Sequence, residues 1–502
     1  MKNRFNWQGM ALCFALAFIQ VSSSMAAGEL DYAPANEAVV QKQLYHSGGH
    51  FSGAELCPAS AFDTITPIAS LHTVTAEQAL PMTVTGVAEF IERHDISSVT
   101  GLLAHLPRHY RTHFSLLEHT RATGQANLEF PRIVLFGTDG QFLMNVGTKP
   151  DDPTYHLLDV AQLHSETGHW EFSVFDFSGS KPTLKRNDPS CQECHGSSNA
   201  RPVWGSFLEW PGVFGDSIID GPRPEAMHHT HAEKINRLIQ GDSNSERFSF
   251  LVWRPESMRR GGVRFIAEHD FGPELLVSNL AMGSATAKGA FRRLTQHQET
   301  AYRQARKALL LSYYQFRDAH PLRFSKVNRV EGLHDWLQQR RQLVAELLPA
   351  SPQSIAPLDL QLATLGLNTQ EAFSLATLHN KEQPAPLWQT ASSDLYDLLM
   401  LQVLDDLRRV DPEIMEILQQ VEPFYGVFQC PETVQNLAQL IDFKMLHLFQ
   451  LQGEARYQVH RVYFPKDVDD VYQQVFLPVA DKLIPLLQEA TGHPQQQVAG
   501  LN

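Results

Sequence analysis

Cys191 and Cys194 stand three positions apart, and His195 follows directly, in the stretch NDPSCQECHG (187–196). On a helical turn, residues three apart share one side. The two sulfurs then reach two points of one flat ligand, and the histidine comes round beneath it to offer a nitrogen to a central metal. This is the attachment pattern of c-type haem, with the sulfurs as thioethers and the imidazole as proximal iron ligand. The chain holds five cysteines and 23 histidines in 502 residues. At that composition a CxxCH arises by chance only about 0.002 times per chain.

Two other chemistries use CxxC. Zinc needs four ligands, typically a second CxxC or a close histidine pair. His228 and His231 supply such a pair, but some 30 residues on, in what reads as the start of a surface helix. A thiol–disulfide dithiol prefers its first cysteine at a helix N-terminus after a buried strand. Here KRNDPS precedes Cys191 and reads as a loop.

The residues after the motif suit a large apolar ligand. Trp204, Phe207, Trp210 and Phe214 follow amid Gly and Pro. Aromatic rings can wall a macrocycle, and the indole N–H of Trp204 or Trp210 can reach a propionate. Arg201 is the candidate to pair with a propionate carboxylate. The ligand opposite His195 sets the redox role: methionine favours electron transfer, and an open position permits small-molecule chemistry. Met258, in WRPESMRRGGVRF, is the best-placed candidate, with Met227, Met282, His228 and His231 competing.

The elements that must position this site predict an α+β, mainly α fold. A small antiparallel sheet leads into the CxxCH segment, and a large helical region follows. TVTGVAEFIERH and SSVTGLLAHLPRHY read as short helices with Thr or Ser starts. RIVLFGTDGQFLMNV (132–146) is two apolar runs around Asp139-Gly140, a hairpin signal. HLLDVAQL and WEFSVFDF flank the polar turn HSETGH. Trp170, Phe172 and Val174 alternate with Glu171 and Ser173, as in a half-buried strand, so about four strands are expected. Beyond about 225 the pattern is helical. One stripe joins Tyr396, Met400, Val403 and Leu407, with Asp411-Pro412 as its stop. PETVQNLAQLIDFKMLHLFQL forms another helix, and a last stretch is bent at Pro478 and Pro485. The expected divisions are a signal peptide (1–27), an irregular and helical region (28–125), the β-rich haem-binding region (126–300) and a C-terminal helical region (301–502).

Lys2 and Arg4, an apolar run over 10–21 and the small residues SSSMAA form a secretory leader, too short to span a bilayer. A periplasmic protein is expected, with no membrane span after cleavage. Loss of the leader moves the net charge from −14 to about −16, which argues against nucleic acid as a partner. Cys57 and Cys430 could bridge in an oxidising compartment or remain separate buried thiols.

The strings PRIVLFGTDGQFLMNVG, YHLLDVAQL, WEFSVFDF and NDPSCQECHG, followed by RPVWGSFLEWPGVFGD, resemble a family of uncharacterised exported bacterial proteins with a single c-type haem motif, cytochrome c-like. The resemblance covers about residues 130–300. It implies one covalent haem c on Cys191 and Cys194 with His195 as axial ligand, and no established reaction. The expectation is a monohaem c-type cytochrome with an electron-transfer or redox role and a redox partner protein. A peroxidase-like enzyme and a haem-based sensor are the alternatives, and a zinc or dithiol site is the further one. The chain shows no catalytic triad, phosphate loop, HExxH or dinucleotide fingerprint.

Overall fold

The computed structural model describes residues 80–107, 110–111, 113–118, 124–137, 140–196, 200–202, 213–214, 229–251, 272–320, 333–348, 355–369, 386–419 and 471–492. Two short helices come first, α1 (Val84–Arg93) and α2 (Val99–Leu103). Both start as the sequence predicts. The Thr83 hydroxyl accepts the Gly86 N–H and the Ser98 hydroxyl accepts the Gly101 N–H, satisfying donors that have no partner inside the helix. Each buries one apolar side, with Val84, Val87, Phe90, Val99 and Leu102 inside.

A six-stranded antiparallel meander follows, in the order β1 (Phe114–Leu117), β2 (Arg132–Leu135), β3 (Phe142–Val146), β4 (Leu157–Leu163), β5 (Trp170–Asp176) and β6 (Thr183–Arg186). The expected hairpins are β2–β3, pairing Leu135 with Met144, and β4–β5, pairing Leu163 with Trp170. Strands β1 and β6 extend the expected four to six. Side chains alternate across the sheet. Ile133, Met144, Val160 and Phe175 face a core shared with α1 and α2. Leu143, Ala161, Trp170 and Phe172 face a second, larger core. Both faces are covered, so β5 is not half-buried. Glu171 and Ser173 are as enclosed as their apolar neighbours.

The larger core belongs to the helices. After α3 (Pro189–His195) and α4 (His229–Ile239) come α5 (Gly272–His297), α6 (Glu299–Ala319), α7 (Leu333–Leu347), α8 (Leu358–Thr364), α9 (Pro386–Arg408), α10 (Pro412–Gln419) and α11 (Ala480–Ala490). Helix α5 lies against the sheet through small residues. A Cβ on Gly140 would meet the Ala281 carbonyl, and one on Gly168 would meet the Gly289 carbonyl. Both glycines have positive φ, at 65° and 72°. The two hairpin turns thus touch α5 backbone to backbone, which only glycine allows.

On α9 the expected stripe of Tyr396, Met400, Val403 and Leu407 is buried, and so are Leu399, Leu401 and Leu404 between them. This helix is enclosed on most sides. Asp411 ends it and also caps α10, accepting the Glu413 and Ile414 N–H groups. Near Pro478 the last helical stretch passes through a π turn (Tyr472–Phe476) and a 3-10 turn (Leu477–Val479), while Pro485 sits inside α11. The leader, Cys57, Cys430 and the helix expected over 431–451 lie outside the described residues. Among the described residues no helix is long and apolar enough to cross a membrane. The architecture is α+β and mainly α.

Candidate functional site

The ten residues NDPSCQECHG carry their own start and stop signals. Strand β6 ends at Arg186, and Asn187 takes a left-handed conformation at φ 46°. Asp188 caps α3 by accepting the Ser190 N–H at 2.9 Å, and Pro189 fills the first turn, where its missing donor costs nothing. Gly196, at φ 87°, ends the helix. The motif lies on one helix, with Cys191 in the first turn and Cys194 three residues on. KRNDPS is therefore not a loop but a strand end, a turn and a cap. Strand β6 is a largely exposed edge strand, unlike the buried strand that precedes a dithiol helix.

Arg186 pairs with Ser173 across the edge. The chain folds over at Asn187, so α3 lies on the face where Phe172 emerges. There the His195 ring stacks on Phe172, with centroids 4.1 Å apart and planes 16° from parallel. Arg201 then returns to His195. The Arg201 N–H donates to the His195 carbonyl at 3.2 Å, and the His195 Nδ1 hydrogen bonds with the Arg201 carbonyl at 2.9 Å. A carbonyl only accepts, so Nδ1 carries the proton and Nε2 is the acceptor. Burial pushes the imidazole down to about 4, against the upward pull of that hydrogen bond. The ring is neutral at pH 7.

Arg201 is 3% exposed and donates from Nη1 to the Pro202 carbonyl at 2.8 Å. Burial pushes its guanidinium down to about 9, so it stays cationic at neutral pH. Cys191 is half-buried against the larger core. Trp204, Phe207, Trp210, Met227, His228 and Met258 lie outside the described residues, as does the Cys194 side chain. Two expectations are corrected. Phe214 does not wall the His195 site: it lies in the core on the other face of the sheet, stacked on His231 at 4.2 Å. His231 is not on the surface: it is 6% exposed, with Glu118 at 3.4 Å. Met282 is buried on α5 beside the β2–β3 turn.

The residues present fit a c-type haem. Two cysteines sit one helical turn apart, the adjacent imidazole is neutral with its acceptor nitrogen fixed, and a buried cation stands at the end of the same loop. The geometry also involves groups that sequence patterning gave no site role. Phe172 orients the ring. The carbonyl of Arg201, rather than its guanidinium, fixes the tautomer, and only the helix-ending Gly196 signals that return. Among the described residues no three His, Cys, Asp or Glu side chains converge as a metal cluster. Comparison with models of protein families, with curated proteins and with solved structures finds no match to this chain.

Proposed function

We propose that the chain is an exported, periplasmic monohaem c-type cytochrome with a redox role. Haem c is held covalently by Cys191 and Cys194, with His195 as its axial ligand. The observation that carries this reading is the closed pair of hydrogen bonds between His195 and Arg201. Any buried imidazole N–H needs an acceptor, and here the acceptor is a main-chain carbonyl six residues on, directly after a CxxCH motif. A ring that binds a metal needs its second nitrogen held by a carbonyl or carboxylate, which orients the ring and raises its basicity. Phe172 holds the plane of the same ring. The buried Arg201 guanidinium would balance a propionate carboxylate. The haem, when bound, supplies a one-electron couple. The chain's own groups tune it: a neutral imidazole, a fixed cation and an apolar wall. Met258 is the proposed sixth ligand, and a redox protein the proposed partner.

The test is production of the full chain in a host that matures c-type haem, followed by a haem stain after denaturing electrophoresis and a pyridine haemochrome spectrum. Covalent haem is expected in the wild type and lost in Cys191→Ser/Cys194→Ser. A folded, exported protein without haem would overturn the reading and return the site to zinc or dithiol chemistry. Loss of the far-red band of Met-ligated ferric haem in Met258→Ala would assign the sixth ligand. A wild-type spectrum that shifts with CO or peroxide would favour the peroxidase or sensor alternatives.

A further inference from the structure

On the face of the sheet away from α3 lies a cavity of about 540 Å³, within the range of small-molecule sites. Its wall includes Thr83, Phe142, Gln162, His164, Ser165 and Thr167. Behind it stands Glu171, which is 5% exposed. The Glu171 carboxylate accepts from Arg186 Nη1 at 2.8 Å and from the Ser173 hydroxyl at 2.7 Å. It also lies 3.0 Å from Nε2 of His164. A carboxylate held by these donors only accepts, so His164 donates from Nε2, which leaves Nδ1 for a second partner. Buried carboxylate and half-exposed imidazole form the oriented pair that general bases use.

His164 directly follows β4 and reaches Glu171, the cross-strand partner of Gln162, so both side chains lie on one face, roughly 7 Å apart. The Gln162 side-chain oxygen is committed to the Val84 N–H at 2.7 Å, which leaves its amide nitrogen as a donor. One donor and one acceptor at that spacing match hydroxyl groups, which both give and accept. The hydroxyls of Thr83, Ser165 and Thr167 add to this. Among the described lining residues the ionisable side chains besides Tyr110 are His164 and Glu166. Glu171 behind them is balanced by Arg186, so the charge of the described wall rests on Glu166, and no described lining residue is a Lys or Arg that would hold a phosphate or carboxylate.

We propose that this cavity binds a small, uncharged polyhydroxylated molecule of the carbohydrate class, with His164, oriented by Glu171, accepting a hydrogen bond from a ligand hydroxyl. The site uses no residue of the Cys191–His195 segment and does not depend on haem. Glu171 and Phe172 are nonetheless consecutive on β5, so a ligand here sits one sheet thickness from the ring of His195.

The test is calorimetry and saturation-transfer NMR on the full chain, with glucose and maltose as probes and glucose 6-phosphate as the charged control. At least one neutral sugar is expected to bind, and the phosphate ester at least tenfold more weakly than glucose. His164→Phe should weaken sugar binding at least tenfold. Ser165→Trp, a substitution at an exposed position that fills the mouth, should abolish it with the fold intact. The proposal is overturned if neither sugar binds at concentrations up to about 50 mM, if Ser165→Trp binds as wild type does, or if the phosphate ester binds more tightly than glucose.

Discussion

His195 and Arg201 hold each other through two hydrogen bonds, each accepted by the partner's backbone carbonyl: from the Arg201 N–H in one direction and from the His195 ring Nδ1–H in the other. The two residues are therefore tied together at their main chain. The ring is fixed by the main chain, which substitution of the Arg201 side chain leaves in place. The side chain has a different effect, because its buried cation favours the reduced, less positive state of a nearby redox centre.

With the proposed haem bound, Arg201→Ala is expected to carry it covalently as the wild type would and to lower its reduction potential by roughly 60 mV, a tenfold change in a one-electron equilibrium. Arg201→Lys keeps the charge and should keep most of the potential. Spectroelectrochemical titration of the three proteins checks this. An unchanged potential in the alanine variant would place the guanidinium away from the redox centre.

Phe172 faces the larger core and carries the ring of His195. Phe172→Ala should cost about 3 kcal/mol, the usual range for a buried aromatic. Phe172→Leu, closer in volume, should cost less than about 1.5 kcal/mol. Both remove the parallel stacking. Urea unfolding gives the stabilities, and the haem absorption bands report whether the ring has turned. A spectral change common to both variants, at such different stabilities, would separate orientation from packing.

Gly168 carries two constraints, a positive φ and backbone contact with Gly289, whereas Gly241 has only the first, with φ 80° and open space where a Cβ would stand. Gly241→Ala should therefore cost about 1 kcal/mol, the price of a left-handed alanine. Gly168→Ala should cost at least about 3 kcal/mol, because α5 must move away from the β4–β5 turn. Equal losses in thermal unfolding would mean that the turn and helix are not locked together.

These cases show where the sequence is legible. The two central hairpins could be read because each pairs alternating apolar residues around a glycine-bearing turn, Gly140 and Gly168. Strands β1 and β6 could not: FSLL is too short to show a period, and TLKR is a polar edge. The cysteine spacing predicts the helical turn of α3, whereas KRNDPS reads as a loop although two of its six residues pair with β5. Glu171 was assigned to a solvent face since period-two patterning counts one covered face. The long-range packing of α1 onto the sheet covers the other. Arg201 was singled out for its guanidinium, and its carbonyl role depends on a chain return that no local pattern encodes.

In the helical core Tyr313 donates to Asp397 Oδ1, and Arg317 Nε lies 3.5 Å from the same oxygen. Asp397 is 0% and Arg317 2% exposed. Burial and the Asp397 charge push the Tyr313 hydroxyl well above its ordinary value, so it remains a proton donor. Asp397→Asn leaves the guanidinium buried without its counter-charge and should cost about 3 to 5 kcal/mol. Tyr313→Phe removes one hydrogen bond and should cost about 1 to 2 kcal/mol. Chemical denaturation of both variants tests the order. A larger loss in Tyr313→Phe would show that the hydroxyl's hydrogen bond, not the ion pair, organises this core.

Glu171 should dominate the acid limb of stability on the sheet side. Burial pulls its carboxyl up, but the hydrogen bonds from Ser173 and His164 and the charge of Arg186 outweigh this and hold it below its ordinary value. Folding thus favours the ionised form. That contribution is complete above the unfolded value, about 4.3, and is lost as the pH falls through the lower folded value. Glu171→Gln is expected to cost about 2 kcal/mol at pH 7, since it strips the partner from Arg186 and His164. The gap between wild type and variant should shrink steadily below about pH 4 as the wild-type carboxylate is protonated. Urea unfolding at a series of pH values measures that gap, and a gap of constant size across the acid range would mean that Glu171 is not ionised in the folded protein.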